Sequence, residues 1–524
     1  MKRRNFIKSI SATAGASAIM LNGTPLKALE NSPLINLLKS AGSNCEDHVL
    51  VMVQLNGGND GLNTIVPLDQ LSNLVKVRGN IALPENKLLS MNGVANNALH
   101  PALSGLQTLF NDSKATIVQN VGYPNQDFSH FRSTDIWLTA SNADTVLNTG
   151  WGGRYFNTDH PLFPEGYPNT ENPDPIAIQV GYIASPAFHG PNANFGHTIN
   201  GLDEFYDLVE DNESTDTSNP YGHELAFIRR TARQANAYNE RIKTAAESAS
   251  NVSSLYPTEG ENELADQLKI VSRCIAGGLK TKMYLVTLNG FDTHAQQVDN
   301  SDVSQGVHAD LLKKIGDALI AFQDDIEKLN VSERVLSMTF SEFGRRITSN
   351  GSLGTDHGAA APVFMISNGI DAGIIGDNPT ITGNETAQDN LPMQIDFRSV
   401  YGSILRDWFC VDEETIRDVL YGDFPKLRLT ATSITEKEAG LDAVVLFPNP
   451  VDRSLNVKLS ISSAQKLNFE VYNALGMRVK ELGSKQVNRG EQTVQFDMNG
   501  IKSGAYHLRV YGSGISLSKP FLKK

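Results

Sequence analysis

His48-Val49-Leu50-Val51-Met52-Val53-Gln54-Leu55 leads directly into Asn56-Gly57-Gly58-Asn59-Asp60-Gly61-Leu62-Asn63-Thr64. The first stretch is almost wholly apolar and does not alternate, the pattern of a strand covered on both faces. The second stops it with glycines, amides and a carboxylate, the chemistry of a tight turn. The same texture recurs along the chain. Ala115–Asn120, Lys282–Leu288, Arg334–Phe340 and Pro362–Ser367 are further apolar runs of strand length. Between them Leu311, Ile315, Leu319, Phe322, Ile326 and Leu329 recur at helical spacing, and Glu224–Ser250 and Asn262–Gly277 also read as helices. Strands alternating with helices predict an α/β fold with a mostly parallel sheet flanked by helices.

In such sheets functional polar groups gather at the carboxyl ends of the strands. The first strand runs into Asp60. The third runs into Gly290-Phe291-Asp292-Thr293-His294 and the fourth into Ser341-Glu342-Phe343-Gly344-Arg345-Arg346. Gly354-Thr355-Asp356-His357-Gly358 precedes the fifth. Asp60, Asp292, His294, Glu342 and His357 are therefore expected to converge on a divalent metal (Zn, Mn, Ca or Mg). Carboxylates neutralise such an ion, and imidazole suits zinc, manganese or iron. Each piece alone also has a plain structural use. Asp60 can close a turn, Asp292 can cap a helix, Glu342 can pair with Arg345 or Arg346, and Asp356-His357-Gly358 can be a polar turn.

At 524 residues the chain is long enough for several domains. Its net charge of −13 argues against a nucleic-acid binder. Three cysteines are too few for a disulfide framework, and no Cys/His zinc spacing occurs. No run approaches the ~20 apolar residues of a membrane span. No Walker A and no GxGxxG follows a strand. The segment 156–222, dense in Asn, Asp, Pro and Gly, reads as a loop-rich insertion. The last eighty residues change character. Residues 442–524 hold twelve Lys and Arg against six Asp and Glu, while the rest of the chain is acidic. Leu455–Ser460, Leu467–Tyr472, Thr493–Met498 and Ala505–Tyr511 are short alternating runs, as in a small all-β sandwich. The expected plan is an export leader over 1–45, an α/β unit over 46–429, a linker over 430–440 and a sandwich over 441–524.

Three resemblances sharpen this plan. Arg3-Arg4-Asn5-Phe6-Ile7-Lys8 before a mild apolar stretch resembles a twin-arginine signal, implying export by that machinery or by Sec. Leu446-Phe447-Pro448-Asn449-Pro450, Val471–Gly476, Ser503-Gly504-Ala505-Tyr506 and Lys519–Lys524 resemble a type A sorting domain of the type IX secretion system. That implies the type IX machinery as partner and passage through the periplasm to the cell surface or medium, without a transmembrane anchor.

Residues about 48–428 resemble the domain of unknown function 1501 family, itself distantly similar to alkaline phosphatases and sulfatases. The stretches that carry this are Gln54–Thr64, Ser129-His130-Phe131-Arg132-Ser133-Thr134-Asp135-Ile136-Trp137, Gly290–His294, Phe340–Arg346 and Thr355–Pro362. The resemblance implies an alkaline phosphatase-like fold and a metal-dependent hydrolase of anionic phosphate or sulfate esters. It places the metal ligands on Asp60, Asp292, His294, Glu342 and His357, a nucleophile on Ser129 before a helix, and an anion grip on Arg132 or Arg345. Phe343 stands where that larger group has a second-metal His. This motivates the alternative of a catalytically degenerate surface binding or assembly protein.

Overall fold

The computed structural model describes residues 20–21, 24–25, 45–202, 218–429, 441–461, 464–473, 478–512 and 515–524. Nearly all of the expected leader and the whole of the expected linker lie outside them. Two compact units divide near Thr430.

The larger unit is built on one nine-stranded sheet: β1 (Val49–Asn56), β2 (Ala115–Gly122), β3 (Ala177–Val180), β4 (Gly196–Ile199), β5 (Met283–Asn289), β6 (Val335–Phe340), β7 (Ala361–Ile366), β8 (Gly373–Ile375) and β9 (Ile395–Asp396). Their order is β8-β2-β7-β6-β1-β5-β3-β4, with β9 also paired to β2. Every pairing is parallel except those of β7, which runs against both neighbours. The sheet is thus mixed and mostly parallel. β3 and β4 come from the segment read as a loop-rich insertion, and extend one edge of the sheet.

The unbroken apolar run of β1 is explained by what covers it. Val49, Val51, Val53 and Leu55 face one side, with α1 (Ser104–Asn111), α5 (Glu263–Ala276) and α6 (Val307–Lys328). Leu50 and Met52 face the other, among residues of α2 (His130–Thr139), α3 (Trp151–Asp159), α7 (Phe397–Ser403) and α8 (Glu413–Leu420). A strand with both faces covered has no polar face to show. Fully burying each such side chain contributes about 1.5–3 kcal/mol. The helical spacing of Leu311, Ile315, Leu319, Phe322 and Ile326 marks the face of α6 that packs here. α4 spans Pro220–Ser248. Asn262 caps α5 by accepting from the Leu264 and Ala265 N–H groups.

Both sheets of the smaller unit are antiparallel. One sheet pairs β10 (Leu441–Phe447), β11 (Ser454–Ile461) and β14 (Gly490–Asp497). The other orders β13 (Arg478–Val487), β12 (Gln465–Asn473), β15 (Gly504–Gly512) and β16 (Ile515–Lys523). Leu455, Val457 and Leu459 from the first share a core with Leu467, Phe469, Val471, Leu508 and Val510 from the second. This is the expected sandwich.

Cys45 and Cys410, 365 positions apart, form a disulfide. Three cysteines are too few for a framework, but two suffice for one bridge, and a separation this long leaves no spacing motif to read. Close by, His48 stacks on Trp408 at 4.3 Å and the Trp408 indole donates to the Val49 carbonyl at 3.1 Å. The bridge therefore locks the entry of β1 to the end of the unit. Cys274 is free and buried, and burial pushes its thiol up to about 12, which makes it inert. Replacing Cys45 and Cys410 together by Ala is expected to lower stability by about 2–5 kcal/mol in equilibrium denaturation. An unchanged denaturation midpoint would show the bridge to be idle.

Candidate metal centre

Five segments reach one edge of the sheet. β1, β5 and β6 are parallel and in register, with Leu50 opposite both Met283 and Leu336. Their carboxyl ends therefore finish together and deliver residues 57–60, 290–294 and 341–346 to the same place. β2 points the same way, because it is antiparallel to β7, which is antiparallel to β6. Its end delivers residues 123–130. β7 starts where the others stop, so residues 355–358 arrive there as well.

Asp292 is the hub. Its Oδ1 lies 3.1 Å from His357 Nε2 and 3.2 Å from His294 Nε2, and its Oδ2 lies 3.5 Å from His130 Nε2. His294 Nε2 and His357 Nε2 are 2.9 Å apart. The ligand atoms of His130, Asp292 and His357 all lie within 4.8 Å of one another. The opposite nitrogen of each ring is held from outside. His130 Nδ1 meets Glu342 Oε1 at 2.8 Å, His357 Nδ1 meets the Phe128 carbonyl at 2.8 Å, and His294 Nδ1 meets Asp356 Oδ1 at 3.2 Å. All three partners are acceptors, so a proton on each Nδ1 satisfies them and would leave Nε2 as the ligand atom of a bound cation. The three Nε2 atoms turn toward one carboxylate. Outer partners of this kind fix ring orientation where histidines serve as metal ligands.

Charge in the cluster is finely divided. Burial works to raise Asp292, but hydrogen bonds from Arg345 and His357 and the charges of Arg345 and His294 hold its carboxyl down at about 2. The hydrogen bond that His130 donates to Glu342 raises its pKa. Burial lowers His357, against its bonds to Asp292 and Phe128.

Arg345 fastens the segments together. It is buried, and its Nε donates to the Gly58 carbonyl at 2.8 Å and its Nη1 to the Thr355 carbonyl at 2.8 Å. Its Nη2 reaches the Gly57 carbonyl, the Phe291 carbonyl at 2.8 Å and Asp292 Oδ1 at 2.9 Å. Glycine is needed where these loops meet. Gly57 has φ +127°, and a Cβ there would lie 2.3 Å from the Asp292 nitrogen. Gly58 has φ +87°, and a Cβ would lie 2.5 Å from the Phe343 ring. Phe343 backs the cluster, with ring centroids 4.5 Å from His357 and 5.0 Å from His130.

Of the residues expected from sequence to bind metal, Asp292, His294 and His357 meet directly. Glu342 stands one step behind, accepting from His130 and from the Gly57 N–H at 2.8 Å. Asp60 lies elsewhere. Both its oxygens take Arg78 Nη1 at 2.9 Å, and Oδ2 also takes Gln297 Nε2 at 2.6 Å. Gln297 Oε1 in turn accepts from Thr293 and Thr355, which neighbour His294 and Asp356. Asp60 thus underpins the loops from below. Ser129 is the residue before α2, and its side chain makes no capping bond. Arg132 is spent on Asp135, Ser141 and the carbonyls of Asn142, Ala143 and Thr145. Arg345 likewise has its donors engaged inside the protein. The sequence reading leaves His130 and Asp356 without metal-site roles, although both sit inside quoted motifs. Their strand-end position beside β2 and β7 was the available signal.

Two buried histidines lie near Asp60. His100 and His308 are 1% exposed, with ring centroids 6.1 Å apart. Burial, reinforced by the His308 charge, lowers His100 to about 3. Burial lowers His308 to about 4. Both are neutral in the fold but free to protonate when unfolded. Their contribution is complete above the ordinary value near 6.5 and is lost as pH falls from there toward 4. Each costs up to about 1.4 kcal/mol per pH unit in that window. Urea unfolding at pH 7 and pH 5 should show a smaller acid loss in His100→Asn/His308→Asn than in the parent. An equal loss would remove these rings as its cause. Separately, Arg78→Met strands Asp60 without its ion pair and is expected to cost about 3–5 kcal/mol, read as a lower urea midpoint at pH 7.

Residues 196–420 match the family described as "Protein of unknown function (DUF1501)", and residues 445–524 match the "Secretion system C-terminal sorting domain". Among solved structures, the chain is similar to latent PorU from Porphyromonas gingivalis at 22% identity, with TM-score 0.14. That likeness spans 15% of this chain and only 9% of PorU. It is similar to a sulfatase from Pseudoalteromonas sp. at 11% identity, over 89% of this chain and 87% of that one, with TM-score 0.35. It is also similar to a protein in the alkaline phosphatase superfamily from Vibrio parahaemolyticus at 11% identity, over 91% and 82% of the two chains, with TM-score 0.35. No curated protein matches the sequence. The chain therefore matches the DUF1501 family model over part of its larger unit and the sorting-domain model over its last eighty residues.

Proposed function

We propose that the larger unit is a metal-dependent hydrolase of phosphate or sulfate esters, carried to the cell surface or medium as cargo of a type IX secretion system. The observation that carries the enzymatic part is the meeting of three imidazole Nε2 atoms on the Asp292 carboxylate, each ring fixed through its Nδ1. Three imidazoles and one carboxylate fit a borderline cation such as zinc or manganese better than calcium or magnesium, which favour oxygen. His130, Asp292, His294 and His357 would hold it. Such a cation, when bound, polarises an ester oxygen and makes a bound hydroxyl more acidic.

The remaining roles fall to the chain's own side chains. Glu342 and Asp356 set the ring orientations of His130 and His294. Arg345 keeps Asp292 ionised and aimed. Phe343 packs on two of the rings and offers no donor of its own, so the reading is of a single cation. Ser129 is the residue before α2 and lies in sequence between Phe128, whose carbonyl holds His357, and His130. It is the proposed nucleophile: its oxygen bonds to phosphorus or sulfur as the bond to the alcohol opposite breaks, the departing alkoxide takes up a proton equal to the one the hydroxyl gives to solvent, and water then hydrolyses the seryl ester to free phosphate or sulfate. The ten-residue helix behind it favours an anion at that end. Export rests on the match over 445–524 and on Arg3-Arg4 at the start of the chain.

Full-length protein recovered through its export route should contain about one equivalent of a divalent metal. It should hydrolyse aryl phosphate or aryl sulfate esters. Asp292→Asn and His357→Ala should each lose metal and lower turnover by about a hundredfold. Full turnover in the double variant would overturn the reading.

A further inference from the structure

Arg345 and Arg346 are neighbours in sequence and opposites in use. Arg78, Arg132 and Arg345 all spend their guanidinium groups on carboxylates and carbonyls inside the protein. Arg346 does not. Its backbone is clamped, the N–H donating to the Asp356 carbonyl at 3.0 Å and the carbonyl accepting from Arg78 Nη2 at 2.5 Å. Its guanidinium has no hydrogen-bond or ion-pair partner among the described residues, and Nη1 is shut off from water without an acceptor. The group lies over the Phe128 ring, 5.8 Å from the centroid. Asp356 and Asp389 feel its charge but form no ion pair with it; Asp356 Oδ1 meets Asn350 and His294, and Asp389 Oδ2 takes Thr386. Arg346 as a whole is half-buried, so its remaining guanidinium N–H groups are the ones free to meet a bound oxyanion.

The cleft that Arg346 lines has a volume of about 310 Å³, and its other walls include Phe128, His294, Asp356, His357 and Gln388. His294 and His357 are members of the metal cluster. The unpaired cation and the proposed metal centre therefore open on one space.

We infer that Arg346 is the anion grip of this cleft, taking the non-bridging oxygens of the sulfate or phosphate group of the substrate ester. This rests on the hydrolase reading and assigns to Arg346 the role that sequence places on Arg132 or Arg345. A planar guanidinium suits two oxygens of such a group at once, and an ammonium in its place keeps the charge but loses the fork.

The test uses the full, metal-replete chain, with inorganic sulfate and inorganic phosphate as titrants in calorimetry. Arg346→Gln should weaken the tighter-binding anion by roughly tenfold or more, with metal content and anion-free melting temperature unchanged. Arg346→Lys should recover part of the loss. Anion affinity equal to the parent's in Arg346→Gln overturns the assignment, as does a parent chain that saturates with neither anion. A metal-loaded, active chain whose Arg346→Gln variant still binds the anion normally refutes the grip and leaves the hydrolase standing. A metal-free, inactive chain that loses anion binding on Arg346→Gln supports the grip and refutes the hydrolase.

Discussion

The guanidinium of Arg345 is the point on which the candidate site depends. From a buried position it binds the carbonyls of Gly57, Gly58, Phe291 and Thr355 and the carboxylate of Asp292. Those groups come from the ends of β1 and β5 and the start of β7, while Arg345 itself follows β6. A planar group with five donors in fixed directions can satisfy several carbonyls at once and so sets the spacing of the loops. The close approach it enforces is why Gly57 and Gly58 leave no room for a side chain. A buried arginine with so many partners also holds Asp292 ionised, which is the state needed to receive a cation.

Below that layer, Asp60 and Arg78 repeat the device. Arg78 is fully buried and binds Asp60, Asn63 and the carbonyls of Ile347 and Arg346. Gln297 passes the order upward to Thr293 and Thr355. Two ion pairs thus fix the segments that carry His294 and His357, one directly and one through Gln297. The reversed strand β7 completes the arrangement, because only a strand running against its neighbours brings its leading residues, His357 among them, to the edge where the others end.

Much of this was legible in the residues. Continuous apolar runs announced β1, β2, β5, β6 and β7, since burial on both faces removes polar alternation. The helical stripe from Leu311 to Ile326 announced α6. Asp292, His294 and His357 were legible because each lies within a few residues of such a run. The assignment of Asp60 to the same set follows the same rule, but its pairing depends on Arg78, eighteen positions on, and nothing local tells which neighbour a carboxylate will find. His130 lies eight residues past the end of β2, after a segment in which Asn125 and Phe128 take positive φ, so periodicity stops before reaching it. The Cys45–Cys410 bridge and the contrast between Arg345 and Arg346 belong to tertiary structure alone. Two adjacent identical residues carry no local mark of which one turns inward.

The placement of β1 has a consequence for biogenesis. It is the earliest strand of the large sheet to leave the ribosome, yet it ends up in the interior of that sheet, between segments 283–289 and 335–340. During synthesis its apolar edges wait for partners encoded far downstream. Such distant pairing slows folding and leaves an apolar nascent segment exposed until its partners are made.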